Sequence, residues 1–201
     1  MATFCAEHNI IVISDEVHCD FVYPANTHIP FGSLIGAEKS ITVISPSKSF
    51  NTAAIPQSSL IMQDASMAGQ FQDFLNNNQL NLDNIFGAIA MVASYNDCGP
   101  WLDQAIDYVA GNLTLAKSFI TNHLPKVKII EPEGTYILWL DFRGLSMEHE
   151  QMNKLFINKG GIGLCSGTDF QTAGFFRMNM ACPQSTFIKG LECIKATFSA
   201  D

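Results

Sequence analysis

Two short stretches of this chain carry side chains that could do chemistry together: Asp15-Glu16-Val17-His18 and Ser45-Pro46-Ser47-Lys48. An acid and an amine brought close form, at their simplest, a salt bridge. They can also divide a harder task, the amine acting as nucleophile or base while the acid holds a positive charge in place. The Ser-x-x-Lys spacing sets the Ser45 hydroxyl one turn before the amine, where it can bind a phosphate or cap the turn that follows. Ser47 offers a second hydroxyl with the same two options.

The elements that must position these groups lie just upstream. Each stretch follows a β-branched run, Ile10-Ile11-Val12-Ile13 and Ile41-Thr42-Val43-Ile44. Short runs without polar alternation read as strands buried on both faces, the kind found in parallel sheets between helices. In open sheets of that kind ligands sit at the carboxyl ends of the strands, so Asp15 and Lys48 are expected at one rim although far apart in sequence. The fold class expected is α/β, with part of a mainly parallel doubly wound sheet over residues 1–110 and a small α+β domain over 111–201.

Periodicity fills in the rest. Ala2 to His8 reads as the end of a helix, residues 21–40 as an irregular loop rich in Pro and Gly, and Ser58–Met62 as a third strand. A helix through Leu75 can be capped by Ser66, and the next, apolar nearly all round, by Asp83. That second helix should be buried, by material outside the chain or by a second subunit. Pro100 suits the first turn of a long helix with apolar residues at helical spacing from Leu102 to Ile120. Beyond Pro125 strands and helices alternate: Val127–Ile130, Thr135–Leu140, a helix capped by Ser146, a strand before Gly163–Cys165, Gly174–Met180, and a last helix from about Ser185. Gly160-Gly-Ile-Gly-Leu-Cys-Ser-Gly167 is no dinucleotide loop, because Ser166 occupies its last glycine position and no helix signal follows.

Composition narrows the function. The chain has 201 residues, 47% hydrophobic and 15% charged, with a formal charge of −8. An acidic chain with scattered basic residues is a poor partner for nucleic acid or an anionic membrane surface. Six cysteines without a C-x-x-C pair suit free thiols in a reducing cytosol. The N-terminus has no basic and apolar leader, and no run is long enough to span a membrane, so a cytoplasmic location is expected.

A further chemical group stands near the C-terminus. In Gly174-Phe-Phe-Arg-Met-Asn-Met-Ala181, strand alternation sets Arg177 and Asn179 on one side. An arginine inside such a strand needs a partner, either an internal acid or a substrate carboxylate held two-pronged. The only other arginine, Arg143, reads as a turn pair with Asp141.

Lys48, desolvated at a strand end, would be nucleophilic enough to condense with an aldehyde cofactor, and on release would serve as general base for a substrate Cα proton. Asp15 would then pair with a protonated pyridine nitrogen; holding a metal with His18 and Asp20 is the other option, but no other histidine lies in a comparable motif, and no metal is expected. Ser14-Asp-Glu-Val-His-Cys-Asp20 with Ser45-Pro-Ser-Lys-Ser-Phe-Asn51 and Phe175-Phe-Arg-Met-Asn-Met-Ala-Cys-Pro183 resembles the pyridoxal-phosphate enzymes of the class I/II aminotransferase fold (fold type I). The resemblance covers nearly the whole chain, with Asp-Glu-Val-His pointing to the cystathionine β-lyase-like carbon–sulfur lyase branch.

It implies pyridoxal 5'-phosphate as cofactor, bound by Asp15, His18, Ser45, Ser47 and Lys48, with His18 near the phenolic oxygen and Arg177 on the carboxylate of a small amino-acid substrate. The reaction implied is β-elimination of L-cysteine conjugates to thiol, pyruvate and ammonia; transamination is the alternative, as is an inactive truncated half with a structural or regulatory role. An arginine that many relatives place eight residues after the lysine is replaced by Pro56. The chain corresponds to the C-terminal half of such enzymes, and a homo-oligomer or a complementing N-terminal half is expected as partner.

Overall fold

Ile41-Thr42-Val43-Ile44 forms most of the middle strand of a three-stranded sheet in the computed structural model, which describes residues 1–80 and 84–199. The chain divides into two compact units, Met1–Gln104 and Ala105–Asp201.

In the first unit, helix α1 (Ala2–Glu7) leads into strand β1 (Val12–Asp15), which pairs parallel with β2 (Ser40–Ile44). Helix α2 (Pro46–Ser49) follows β2, and β3 (Ser59–Met62) pairs antiparallel on its other side. The sheet is therefore mixed in this portion of the fold, with one parallel and one antiparallel ladder. Helices α3 (Ala65–Asn77) and α4 (Ile85–Asp97) come next. Helix α5 (Gly99–His123), with Pro100 in its first turn as expected, contains the division between the units.

The second unit carries β4 (Lys128–Ile130), β5 (Ile137–Asp141), α6 (His149–Leu155), β6 (Cys165–Ser166), β7 (Phe175–Asn179) and α7 (Gln184–Phe198). Its sheet runs β4-β5-β7-β6 and every ladder is antiparallel, an α+β arrangement. The core is apolar and aromatic: Leu138, Leu140, Phe176, Met152, Phe187, Leu191 and Ile194 are buried. Phe142, Phe156 and Phe176 pack edge to face at 4.9–5.6 Å between ring centres. Burying each such side chain stabilises the fold by about 1.5–3 kcal/mol. Asn112 of α5 is fully buried, and its amide donates to Met180 O at 2.9 Å and to Cys182 O at 3.4 Å.

The burial expected of the first strands is not met. Ile13 is 69% exposed and Ile11, Leu60 and Ile61 are also exposed; Ile11 and Ile13 lie on one side of the chain at β1, whereas the neighbours Leu60 and Ile61 face opposite sides of β3, so the described residues leave part of both faces of the sheet uncovered. The apolar helix α4 is likewise open: Phe86 is 76% exposed with Ile85, Ile89 and Val92 beside it, while Gly87 and Ser94 are its buried residues. At Gly87 a Cβ would lie 2.9 Å from Pro56 O, so a residue without a side chain stands where the helix backbone comes closest to that loop.

Caps also differ from expectation. Asp64, not Ser66, closes the start of α3, its carboxylate accepting from Ser66 N at 2.8 Å and Met67 N at 3.0 Å. Asp83 lies outside the described residues, and Asn84 caps α4 by accepting from Phe86 N at 3.1 Å. Ser146 ends a 3-10 turn (Arg143–Leu145) in a left-handed conformation, φ 53°, and α6 begins only after Glu148. Among the described residues no helix is long and apolar enough to cross a membrane.

Candidate active site

Asp15 is the last residue of β1 and lies in register with Val43 of β2. Because the two strands run parallel, the turn that follows β2 emerges at the same rim as Asp15. Asp15 is exposed, with one carboxylate oxygen accepting from Val17 N at 3.3 Å. Ser45 is buried and caps α2: its hydroxyl accepts from Ser47 N at 3.1 Å and donates to Gln57 O at 2.7 Å. Pro46 at the first helical position, with no N–H to satisfy, completes the turn. Lys48 sits on the outer side of this single turn and is exposed, so the burial expected around it is missing from this chain. Ser47 and His18 are half-buried.

Thus Asp15, Ser45, Ser47 and Lys48 share one strand-end rim, with His18 in the turn after Asp15. Sequence reasoning passed over two neighbours: the hydroxyls of Ser49 and Thr52 are buried and, among the described residues, have no hydrogen-bond partner. It also passed over Glu16, a buried carboxylate that accepts from the Ser14 hydroxyl at 2.9 Å and Phe31 N at 2.8 Å and meets His28 Nε2 at 2.6 Å. Burial alone would push the Glu16 carboxyl up, but the bonds from His28, Phe31 and Ser14 outweigh it and hold it below its ordinary value. This knot ties the loop over residues 28–31 to the end of β1. Nearby, the Tyr95 hydroxyl of α4 donates to Asp20 at 3.2 Å. Burial raises the Asp20 carboxyl, and burial beside Asp20 pushes the Cys19 thiol up to about 11. A thiolate there is disfavoured, so the Cys19 thiol stays protonated at neutral pH.

Arg177 belongs to the second unit and is half-buried in the middle of β7, opposite Trp139 of β5 and Cys165 of β6. Its guanidinium lies 4.7 Å from the Phe170 ring centre, and Nη2 is 3.8 Å from Cys165 Sγ. Asn179, expected on the same side, accepts from Ala181 N at 2.7 Å. Arg143 is the turn pair expected: Nε and Nη2 donate to the two Asp141 oxygens at 2.9 and 2.8 Å, which holds the Asp141 carboxyl below its usual range.

The family model described as aminotransferase class I and II matches residues 1–194. The chain belongs to this family. It is similar to the cystathionine beta-lyase PatB of Bacillus subtilis, 36% identical over 99% of this chain and 52% of that protein. Among solved structures it is similar to cystalysin of Treponema denticola, described as containing pyridoxal 5'-phosphate, with a TM-score of 0.89 and 30% identity over 98% of this chain and 51% of that one. It is also similar to the PLP-bound C-S lyase of Staphylococcus hominis complexed with the inhibitor L-cycloserine, with a TM-score of 0.86 and 31% identity over 98% of this chain and 48% of that one. The chain spans about half the length of the relatives it matches.

Proposed function

We propose that the chain is part of a pyridoxal-phosphate-dependent carbon–sulfur β-lyase that cleaves L-cysteine conjugates such as cystathionine to thiol, pyruvate and ammonia. One observation carries it: an amine, Lys48, and a carboxylate, Asp15, at the common rim of a parallel strand pair, in a family member whose relatives from Bacillus subtilis and Staphylococcus hominis are named as carbon–sulfur lyases. The groups present fit the cofactor. Lys48 offers an amine to its aldehyde, Asp15 a carboxylate to its ring nitrogen, and Ser47, with the unpartnered hydroxyls of Ser49 and Thr52, offers donors suited to a phosphate. Ser45 already gives its one hydroxyl proton to Gln57 O and could donate to a phosphate only by releasing that bond, so its first task is to shape the turn that carries Lys48.

The bound cofactor supplies a sink for the electron pair left on the substrate Cα. With the cofactor held, Lys48 would take the Cα proton, Asp15 would offer negative charge to the ring nitrogen, His18 would offer its imidazole to the phenolic oxygen, and Arg177 would grip the substrate carboxylate through two parallel N–H groups. As the Cβ–S bond breaks, its electrons would leave with a thiolate and the Cα electron pair would form the Cα–Cβ double bond; water then hydrolyses the released 2-aminoacrylate, through its imine, to pyruvate and ammonia. Transamination differs in where the Cα proton goes next, and the lyase relatives favour elimination.

Residues 1–110 are in this reading the C-terminal part of the large cofactor domain, and 111–201 the small domain. The exposed apolar residues Ile11, Ile13, Leu60, Ile61, Ile85, Phe86, Ile89 and Val92 support a partner, either a second copy or a complementing N-terminal half. Six free thiols support a cytoplasmic location. The test is to add pyridoxal phosphate to the chain, alone and with a complementing N-terminal half, while scanning absorbance at the visible edge and assaying pyruvate from cystathionine. A new band with pyruvate release in the complemented protein is expected. No band and no pyruvate in that assembly would leave the inactive structural half as the better account.

A further inference from the structure

Both arginines of the chain lie on one aromatic stack, at opposite ends. Trp139 stacks on Phe175 with ring centres 5.6 Å apart and planes 18° from parallel, and meets Phe170 edge-on at 5.8 Å. Arg143 covers the Phe175 ring at 4.6 Å and Arg177 the Phe170 ring at 4.7 Å. The two guanidiniums differ in what they bond. Arg143 spends its fork on Asp141, whereas among the described residues no carboxylate pairs with Arg177, whose Nη2 reaches the weak acceptor Cys165 Sγ.

A guanidinium carries its five N–H groups in its own plane, so a ring packed on its face steadies it without using a donor. The Arg143 end displays the outcome: a flat cation seated on an aromatic ring, gripping a carboxylate by its edge. We propose that Phe170 is a positioning residue for Arg177, fixing the guanidinium plane so that a substrate carboxylate is taken edge-on, displacing Cys165 Sγ, as Asp141 is taken by Arg143. This rests on the reading of Arg177 as the carboxylate fork.

Phe170 itself is set in place. It ends a 3-10 turn (Gly167–Phe170) that Ser166 caps by accepting from Thr168 N at 3.2 Å and that Thr172 N closes onto Gly167 O at 2.8 Å. A Cβ at Gly167 would fall 2.3 Å from Thr172 O, so the turn has no room to loosen around a larger residue. Phe170 nevertheless leaves 48% of its surface exposed, so burial does not account for the ring.

Two arginines give two Nε–Hε signals when the chain is labelled with 15N-arginine, and L-serine serves as the carboxylate probe. The Arg177 signal is expected to shift saturably with L-serine while the Arg143 signal stays. Phe170→Leu, and Phe170→Met as a bulk-preserving control, are expected to raise the half-saturating concentration at least tenfold with the Arg143 signal unmoved, and Phe170→Tyr to stay within twofold of wild type. A wild-type midpoint in Phe170→Leu and Phe170→Met would overturn the positioning role while leaving the fork intact. An Arg177 signal indifferent to L-serine in the wild-type chain would remove the fork, and the positioning role with it.

Discussion

Glu16 and His28 meet at 2.6 Å across the loop that joins β1 to β2, and the contact is a pH-dependent strut. The Glu16 carboxyl is held below its ordinary value of 4.5, so the bound carboxylate adds stability above that pH, which is lost as pH falls through the lowered folded-state value. Asp141, lowered by Arg143, acts in the same direction. Glu16→Gln should flatten the acid limb of a stability-versus-pH curve measured by urea unfolding and leave the Asp141 share. A curve of unchanged slope would show that Glu16 does not titrate with folding.

Lys48→Ala should abolish the visible-edge absorbance and lyase turnover of the complemented protein, since no other lysine stands in the Asp15 and Ser45 setting. Reduction with borohydride followed by peptide mapping checks it. An adduct on a different lysine would sink the assignment.

Arg177→Lys should weaken substrate binding far more than cofactor binding, because an ammonium cannot reproduce the two-pronged contact. Loss of a charge-assisted bond costs about 1.5–3 kcal/mol, so KM should rise roughly 10- to 150-fold. Equal losses in both affinities would make Arg177 a structural residue.

Phe176→Ala, deleting a fully buried ring from the centre of the second sheet, should cost about 3–5 kcal/mol in denaturant unfolding. Phe86→Ser on the open face of α4 should change stability by only about 0.5 kcal/mol and should lower light scattering from self-association. Unchanged scattering would move the association surface elsewhere.

What the sequence displayed most plainly was chemistry punctuating local pattern. Asp15 and Lys48 stood out because each follows a β-branched run, and Arg143 because its partner Asp141 is two residues away. Caps were ambiguous where two capping types stood close: Asp64 and Ser66 compete for one helix start, and only the carboxylate two residues earlier reaches both free N–H groups. Burial on both faces failed because an apolar run records the environment a strand is built for, which this chain does not itself supply. Glu16 and Phe170 were illegible for a different reason. Their partners, His28 and Phe31 in one case and Trp139 and Arg177 in the other, come close only after the chain has folded.

The buried amide of Asn112 has a mechanical meaning. It grips the carbonyl of Met180, three residues beyond Arg177 on the same run of chain, so the end of β7 rides on α5 through a side-chain clamp sealed from water. In hydrogen exchange the end of β7 and the turn of α5 that carries Asn112 should give way together rather than in turn.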